Sequence, residues 1–111
     1  MNLKFKRDKY KNARGGYSRL LELRCRKCNS LIATYQKDGP GNLRRLYMDR
    51  IMSPKNLTNL QNKRLKDIKP LKCNKCAFLV GIPYIYKKEK RNAFRIFQNA
   101  LSKKIIKIKD E

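Results

Sequence analysis

Alternation of apolar and polar residues predicts short β-strands along much of this chain. Leu21, Leu23 and Cys25 fall on one face of an extended segment that begins at position 20. Glu22 and Arg24 fall on the opposite face. A period of two residues is typical of a half-buried strand, so the pattern predicts a strand that leads into the first cysteine pair.

A hairpin is predicted directly after that strand. Residues 31–36 are predicted as a second strand, and residues 37–42 contain the Gly and Pro of a turn. Residues 43–51 then return as the partner strand, with Leu46 and Met48 on one face. The glycines beside Lys37 would let backbone amides approach a phosphate, but the Lys-Ser/Thr ending of a P-loop is missing, so an ordinary turn is favoured.

The pattern occurs a second time, at a constant offset along the sequence. The second copy predicts an outgoing strand at 78–86, a turn at 87–92 and a return strand at 93–97. Pro83 cannot donate a ladder hydrogen bond, which predicts an edge or a bulge there. The aligned pairs are Leu23 with Leu71, Arg24 with Lys72, Cys25 with Cys73, Lys27 with Lys75, Cys28 with Cys76, Leu31 with Leu79, Leu46 with Phe94, and Met48 with Ile96.

Four cysteines stand in two Cys-x-x-Cys pairs, Cys25 with Cys28 and Cys73 with Cys76. One tight turn aims two sulfurs at a common point, so two turns complete a tetrahedron of thiolates that suits one structural Zn²⁺. Redox dithiols, two disulfides or an iron centre use the same residues and are the alternatives. Four thiolates close the coordination sphere, which makes the predicted role folding and not catalysis.

The two Cys-x-x-Cys turns, which we call knuckles, and the two hairpins together resemble zinc-ribbon proteins. That group includes small basic ribosomal proteins and modules of the transcription machinery. The resemblance covers residues 20–97 and implies a zinc-bound β-ribbon in contact with nucleic acid. The predicted fold class is mainly β (small β+α), a zinc ribbon of two pseudo-repeated knuckle-hairpins with basic tails.

The predicted organisation has three parts. Residues 1–19 are a basic, flexible N-terminal arm. Residues 20–97 are the zinc-ribbon domain with its four cysteine ligands, and its knuckle-hairpins lie at 20–52 and 71–97. The linker 53–70 is either a short helix capped by Ser53 or irregular, and the basic C-terminal segment 98–111 has a spacing compatible with helix or strand.

Charge points to the class of partner. The chain has 30 Lys and Arg against 8 Asp and Glu, a formal net charge of +22 in 111 residues. Such an excess favours a polyanion, and phosphate contacts release counterions. The leading hypothesis is a structural RNA-binding protein, ribosomal or ribosome-associated, that contacts rRNA phosphates. The alternative is a DNA-binding or transcription-associated zinc ribbon.

Candidate contacts with RNA are the clustered cations of the N-terminal segment, the knuckles and both hairpins. They are Lys6, Arg7, Lys11, Arg14, Arg19, Arg26, Lys27, Arg44, Arg45, Arg50, Lys75, Lys87, Lys88, Lys90 and Arg91. Interleaved aromatic residues are candidates for base stacking or, alternatively, cover a thin sheet. They are Tyr35, Tyr47, Tyr84 and Tyr86.

Other classes of function are disfavoured. The chain has no His, and its acidic residues are scattered along the sequence, so no catalytic constellation is predicted and an enzyme is not expected. No secretory signal or membrane-spanning segment is recognisable, and no small-molecule substrate is expected. The predicted location is the cytoplasm, in association with ribosomes.

Overall fold

Residues 5–106 are described by the structure, a computed structural model, and they fold as two antiparallel four-stranded sheets. The first sheet has the strand order β4-β2-β1-β8 and the second has the order β3-β7-β6-β5. The elements are α1 (Lys9–Ala13), β1 (Ser18–Cys25), β2 (Leu31–Asp38), β3 (Arg45–Tyr47), β4 (Ile51–Ser53), β5 (Leu71–Lys72), β6 (Leu79–Tyr86), β7 (Arg91–Ile96) and β8 (Leu101–Ile106). The predicted mainly β class is therefore confirmed.

One apolar core draws on both sheets. From the first sheet it takes Leu21, Leu23 and Tyr35, and from the second it takes Val80 and Phe94. The alternation predicted for β1 is confirmed, because its apolar side chains are buried while the charged side chains between them stay partly exposed.

The predicted first hairpin is wrong. Strand β3 pairs with β7 of the second sheet, and β2 pairs instead with β1 and β4. A 3₁₀ turn at Met48–Arg50 follows β3, and it lets both Leu46 and Met48 reach the core although the strand ends between them. Leu46 and Phe94, aligned above as repeat equivalents, are in fact cross-strand partners.

The second hairpin is confirmed, with β6 and β7 paired in antiparallel register. Strand β7 begins at Arg91, so the turn is shorter than predicted. Strand β5 reaches only Leu79 and Gly81 of β6, which leaves Pro83 with a ladder partner on one side alone, as its missing N–H requires.

The linker contains 3₁₀ turns and no α-helix, so the short-helix prediction is wrong and the irregular alternative applies. The turns are Lys55–Leu57, Leu60–Asn62 and Leu65–Asp67. Ser53 ends strand β4 and does not cap a helix. Leu60 and Ile68 anchor the linker by burying their side chains in the core.

Both ends of the described chain contain regular secondary structure. Helix α1 lies within the expected arm, capped by the Asp8 carboxylate, which accepts hydrogen bonds from two backbone N–H groups. The Lys6 backbone exchanges two hydrogen bonds with the buried side chain of Gln36. At the other end, β8 pairs with β1 as a strand. Residues 1–4 and 107–111 of the two expected tails lie outside the described residues.

The boundary between the two predicted halves does not separate the sheets. Strand β3, from the first half, completes the second sheet, and β8, which follows the second half, completes the first. Each sheet therefore contains strands from both parts of the chain.

Candidate metal centre and basic surface

The four cysteine sulfurs converge at one point. Cys25 Sγ lies 3.7 Å from Cys76 Sγ, and Cys28 Sγ lies 3.5 Å from Cys73 Sγ. All four sulfur atoms lie within 4.8 Å of one another. A tetrahedral ion with metal–sulfur bonds of about 2.3 Å holds its ligands about 3.8 Å apart. The cysteines therefore form a candidate metal site with room for one ion.

The sulfur spacing also excludes the two-disulfide alternative in this structure. A disulfide requires about 2.05 Å between sulfurs, and all four cysteines are free. One ion shared by four adjacent thiolates is the arrangement that this geometry favours, and the donor set fits both Zn²⁺ and iron.

The two cysteine loops have the same pattern of internal backbone hydrogen bonds. In the first loop Cys25 N donates to Ser30 O and Asn29 N donates to Cys25 O. In the second loop Cys73 N donates to Phe78 O and Ala77 N donates to Cys73 O, so equivalent positions make the same bonds. The register shift in the preceding strand also recurs, at Leu23/Arg24 and Leu71/Lys72. The repeat predicted from the sequence thus has a counterpart in the local geometry of the loops.

One residue in each loop adopts a left-handed backbone, Asn29 with φ 63° and Ala77 with φ 62°. Asn tolerates this region, whereas a residue with an ordinary Cβ loses about 1–2 kcal/mol there. The second loop is therefore strained at Ala77, and its geometry nevertheless matches that of the first.

Their surroundings shift the pKa values of Cys28 and Cys76 in opposite directions. Hydrogen bonding to the Ser30 side chain and backbone lowers the pKa of Cys28 to about 6. The Phe78 N–H also favours a thiolate at Cys76, but desolvation and the three neighbouring sulfurs outweigh it and raise the pKa of Cys76 to about 11. Four thiolates repel one another at this distance, so only a bound cation lets all four lose their protons near neutral pH.

The knuckle cations lie at the surface, as the sequence predicts. Arg26, Lys27 and Lys75 are exposed. The Lys27 ammonium lies 5.9 Å from the centroid of the Phe78 ring, which belongs to the other loop. These residues are available to an external partner.

Arg50, predicted to contact RNA, is instead buried in the protein. Its side chain is 1% exposed, and its guanidinium donates to Asp8 at 2.6 Å and to Asp38 at 2.8 Å. Asp49 lies 3.5 Å away as a third carboxylate. The prediction is wrong because three acidic residues, scattered along the sequence, converge on this arginine. We call these side chains the Arg50 network.

Arg91 and Lys11, also predicted contacts, are likewise buried. Arg91 is 5% exposed, pairs with Asp49 at 2.6 Å, and lies between the rings of Tyr10 and Tyr47, 4.0 and 3.7 Å from their centroids. Lys11 is 5% exposed and donates to the Ser18 hydroxyl. Both side chains join α1 to the sheets and do not reach a partner.

The guanidinium of Arg14 is hydrogen-bonded to two side chains, those of Glu89 and Tyr47. It donates to Glu89 through two nitrogens, at 2.9 and 2.6 Å, and to the Tyr47 hydroxyl at 3.0 Å. Counting this pair, every carboxylate among residues 5–106 has an arginine partner inside the molecule. This pairing is not predictable from the sequence, since no local spacing signals contacts between positions that are distant along the chain.

Two of the four candidate stacking tyrosines are structural. Tyr35 is 3% exposed, its hydroxyl accepts from Tyr47 N at 2.8 Å, and desolvation raises the pKa of that hydroxyl. Tyr47 is 9% exposed. Both cover the core, which is the alternative noted above, whereas Tyr84 and Tyr86 remain partly exposed.

The remaining candidate cations lie at the surface. Arg45 is partly exposed, and the others are exposed: Lys6, Arg7, Arg19, Arg26, Lys27, Arg44, Lys75, Lys87, Lys88 and Lys90.

No protein-family model, curated protein or solved structure matches this chain. Within residues 5–106, no helix combines the length and the apolar character that crossing a bilayer requires.

Proposed function

We propose that the protein is a structural, non-enzymatic RNA-binding protein, ribosomal or ribosome-associated in the cytoplasm, which contacts rRNA phosphates. One Zn²⁺ held by Cys25, Cys28, Cys73 and Cys76 completes its fold. Its two knuckles form an unusual zinc ribbon. Strand β3, which follows the first knuckle along the chain, pairs with β7 of the second sheet and not with β2.

The observation that carries the proposal is the separation of charge within the molecule. Arginines pair with all the carboxylates of residues 5–106, and four of these carboxylates pair with the buried Arg50 or Arg91: Asp8, Asp38, Asp49 and Glu89. Apart from buried Lys11 and partly buried Lys37, the lysines of residues 5–106 are exposed, and none of them lies at salt-bridge distance from a carboxylate. A surface of this kind repels itself, and a phosphate backbone removes the repulsion.

The same donor set also fits iron, and zinc is proposed because it has no redox chemistry and suits a purely structural role. A closed set of four thiolates leaves no position for a reactive water, so the ion supplies folding free energy and no chemistry of its own. Metal analysis of the purified protein tests this: one zinc per chain is expected, in a colourless protein, because a d¹⁰ ion has no d–d bands. Stoichiometric iron with visible absorption would contradict it.

Salt dependence tests RNA binding. Affinity for structured rRNA fragments should fall linearly on a double-logarithmic plot, by about a thousandfold between about 50 and 200 mM salt if six or more phosphates are contacted. The variant Lys87→Gln/Lys88→Gln should lower the slope by about 1.5, because two exposed lysines of the β6–β7 turn are removed.

The matched control is Lys55→Gln/Lys66→Gln, which removes the same charge from exposed linker positions outside the candidate set. Its slope should stay near that of the wild type. A flat salt response of the wild type would exclude phosphate contact, and tighter binding to duplex DNA than to RNA in direct competition would favour the alternative function.

A further inference from the structure

One face of the second sheet carries arginine and tyrosine side chains in register. Cross-strand partners of an antiparallel pair point to the same face. Arg45 of β3 pairs with Arg95 of β7, and Arg95 pairs with Ile82 of β6. Tyr84 and Tyr86 follow on the same face of β6 at the spacing of two residues that a strand requires. We call these five residues the Arg–Tyr face.

Helix α1 covers only one end of this sheet face. Tyr10 of the helix lies against Arg91, and Arg14, which follows the helix, lies over Tyr47. The other end is open, since Arg95 is exposed and Ile82 is 39% exposed. Helix α1 therefore bounds the open part of this sheet face at one end.

The charge of the open part is uncompensated. Arg45 and Arg95 stand directly opposite each other, and like charges in this position destabilise a sheet. Within the range 5–106, neither has a carboxylate at salt-bridge distance. A bound anion would relieve this repulsion.

Each arginine also lies over a tyrosine ring. The Arg45 guanidinium lies 4.3 Å from the Tyr86 centroid, and its Nε donates to the Tyr84 hydroxyl at 2.8 Å. The Arg95 guanidinium lies 5.2 Å from the Tyr84 centroid. These contacts hold flat π surfaces and cations at fixed positions, which is the composition of a platform for unpaired bases.

A cleft of about 250 Å³ continues from the same arginine. Arg45 lines it together with Arg44, Lys37 and Arg14, and further lining residues come from β2 and the β2–β3 loop. Desolvation and repulsion from neighbouring cations, Lys103, Arg19 and Arg14, lower the pKa of Lys37. Asp38 also lines the cleft, but its carboxylate is bonded to Arg50. The cleft is thus electropositive and adjoins the platform.

We propose that the Arg–Tyr face and this cleft bind one stretch of unpaired RNA. Bases stack on Tyr84 and Tyr86, phosphates lie against Arg45 and Arg95, and the backbone continues into the cleft toward Lys37. Duplex RNA does not fit this role, because its base faces are already stacked and only splayed nucleotides present them. The inference rests on the proposed RNA-binding function and specifies which nucleotides this surface takes.

Abasic oligonucleotides separate stacking from charge. Short single-stranded RNA and the same strand with abasic nucleotides carry identical phosphates, so their affinity ratio at fixed salt measures base contacts. The wild type should bind the base-bearing strand about fivefold or more tightly. Tyr84→Leu/Tyr86→Leu removes both stacking rings and should bring this ratio close to one, while Tyr84→Phe/Tyr86→Phe, which keeps both rings, should retain it. Arg95→Gln should lower affinity for both strands and reduce the salt slope by about 0.7.

Two controls match these variants. Tyr17→Leu removes a tyrosine that is 42% exposed outside the second sheet, and Lys66→Gln removes one exposed cation from the linker. Both should leave the ratio unchanged. A wild-type ratio near one, which needs no variant and no assumption about folding, would overturn the platform while leaving phosphate-driven RNA binding intact. Failure of the wild type to bind either strand or structured RNA would overturn both proposals.

Discussion

The sulfur centre and the Arg50 network both join segments that are far apart in the sequence, and they use different means. The sulfur centre brings together Cys25 with Cys76, 51 residues apart, and Cys28 with Cys73, 45 residues apart, and its four thiols form a candidate site for an external ion. The Arg50 network joins Asp8 and Asp38 to Arg50 across 42 and 12 residues, with charges that the chain itself supplies. Under the proposed function, the first centre makes the fold depend on a bound metal ion, whereas the second makes it depend on pairing charges of the chain itself.

Removing the metal should have the largest effect. Chelation, or Cys73→Ser at a buried ligand position, removes a folding contribution that in zinc peptides amounts to about 10 kcal/mol or more. We expect loss of the β-type circular dichroism signal at room temperature. Ser30→Ala, beside the centre, should keep both metal and fold, and a chelated protein that melts like the wild type would show that the sulfur centre is not a metal site.

Breaking the Arg50 network should have the next largest effect. Arg50→Met leaves Asp8 and Asp38 without their cation, while Asp49 keeps Arg91, and the loss should cost about 3–5 kcal/mol of unfolding free energy measured in urea. The control is Arg64→Met, because the Arg64–Asp67 pair is 73% and 49% exposed and should contribute less than about 1 kcal/mol. Equal losses in the two variants would mean that burial does not distinguish the two pairs.

The same network predicts a pH dependence of smaller size. Desolvation alone would raise the pKa of Asp38, but hydrogen bonds from Ser18, Gln36 and Arg50 outweigh it and hold that pKa below 3.8. The unfolded state therefore takes up the proton first as the pH falls. This stability is present at neutral pH and is lost as the pH falls below about 3.8, through the folded pKa.

Asp38→Asn provides the comparison, because the wild type and this variant share the same thiols. The gap in unfolding free energy between them should be about 1–3 kcal/mol at pH 7 and unchanged at pH 5. It should narrow only below about pH 4. A gap that already closes between pH 7 and 5 would assign the titration to other groups.

Relieving the strained knuckle should have the smallest effect. Ala77→Gly removes the Cβ from a left-handed backbone and should stabilise the protein by about 1 kcal/mol, visible as a higher melting temperature. Asn29→Gly at the equivalent position of the other loop should change little, since Asn already accepts this conformation. The two loops would then differ in strain and agree in geometry.

The sulfur centre could be predicted from sequence because its information is local. Two residues between cysteines suffice to define each loop, and the constant offset between the two copies matches Cys25 with Cys73 before any fold is known. The Arg50 network could not be predicted, because its members share no spacing and meet only after β2, α1 and the Met48–Arg50 turn have packed. Net charge counts the arginines but does not reveal which of them are already paired.

Strand partners show the same limit. Periodicity identified β1, β6 and β7, since each alternates or forms an apolar run. It could not identify the sheet to which β3 belongs, because Leu46 fits equally well beside β2 or opposite Phe94. The spacing of apolar residues in β8 fits helix and strand equally for a similar reason, since pairing with β1 is what determines its conformation.

The pairing of β8 with β1 has a consequence for how the protein is made. Leu20 is opposite Ile106 and Cys25 is opposite Leu101, so β1 leaves the translating ribosome long before this neighbour is synthesised. Until then its apolar edge stays open to other nascent chains. We expect folding to finish only after Ile106 has emerged, which makes a chain truncated before β8 an aggregation-prone product.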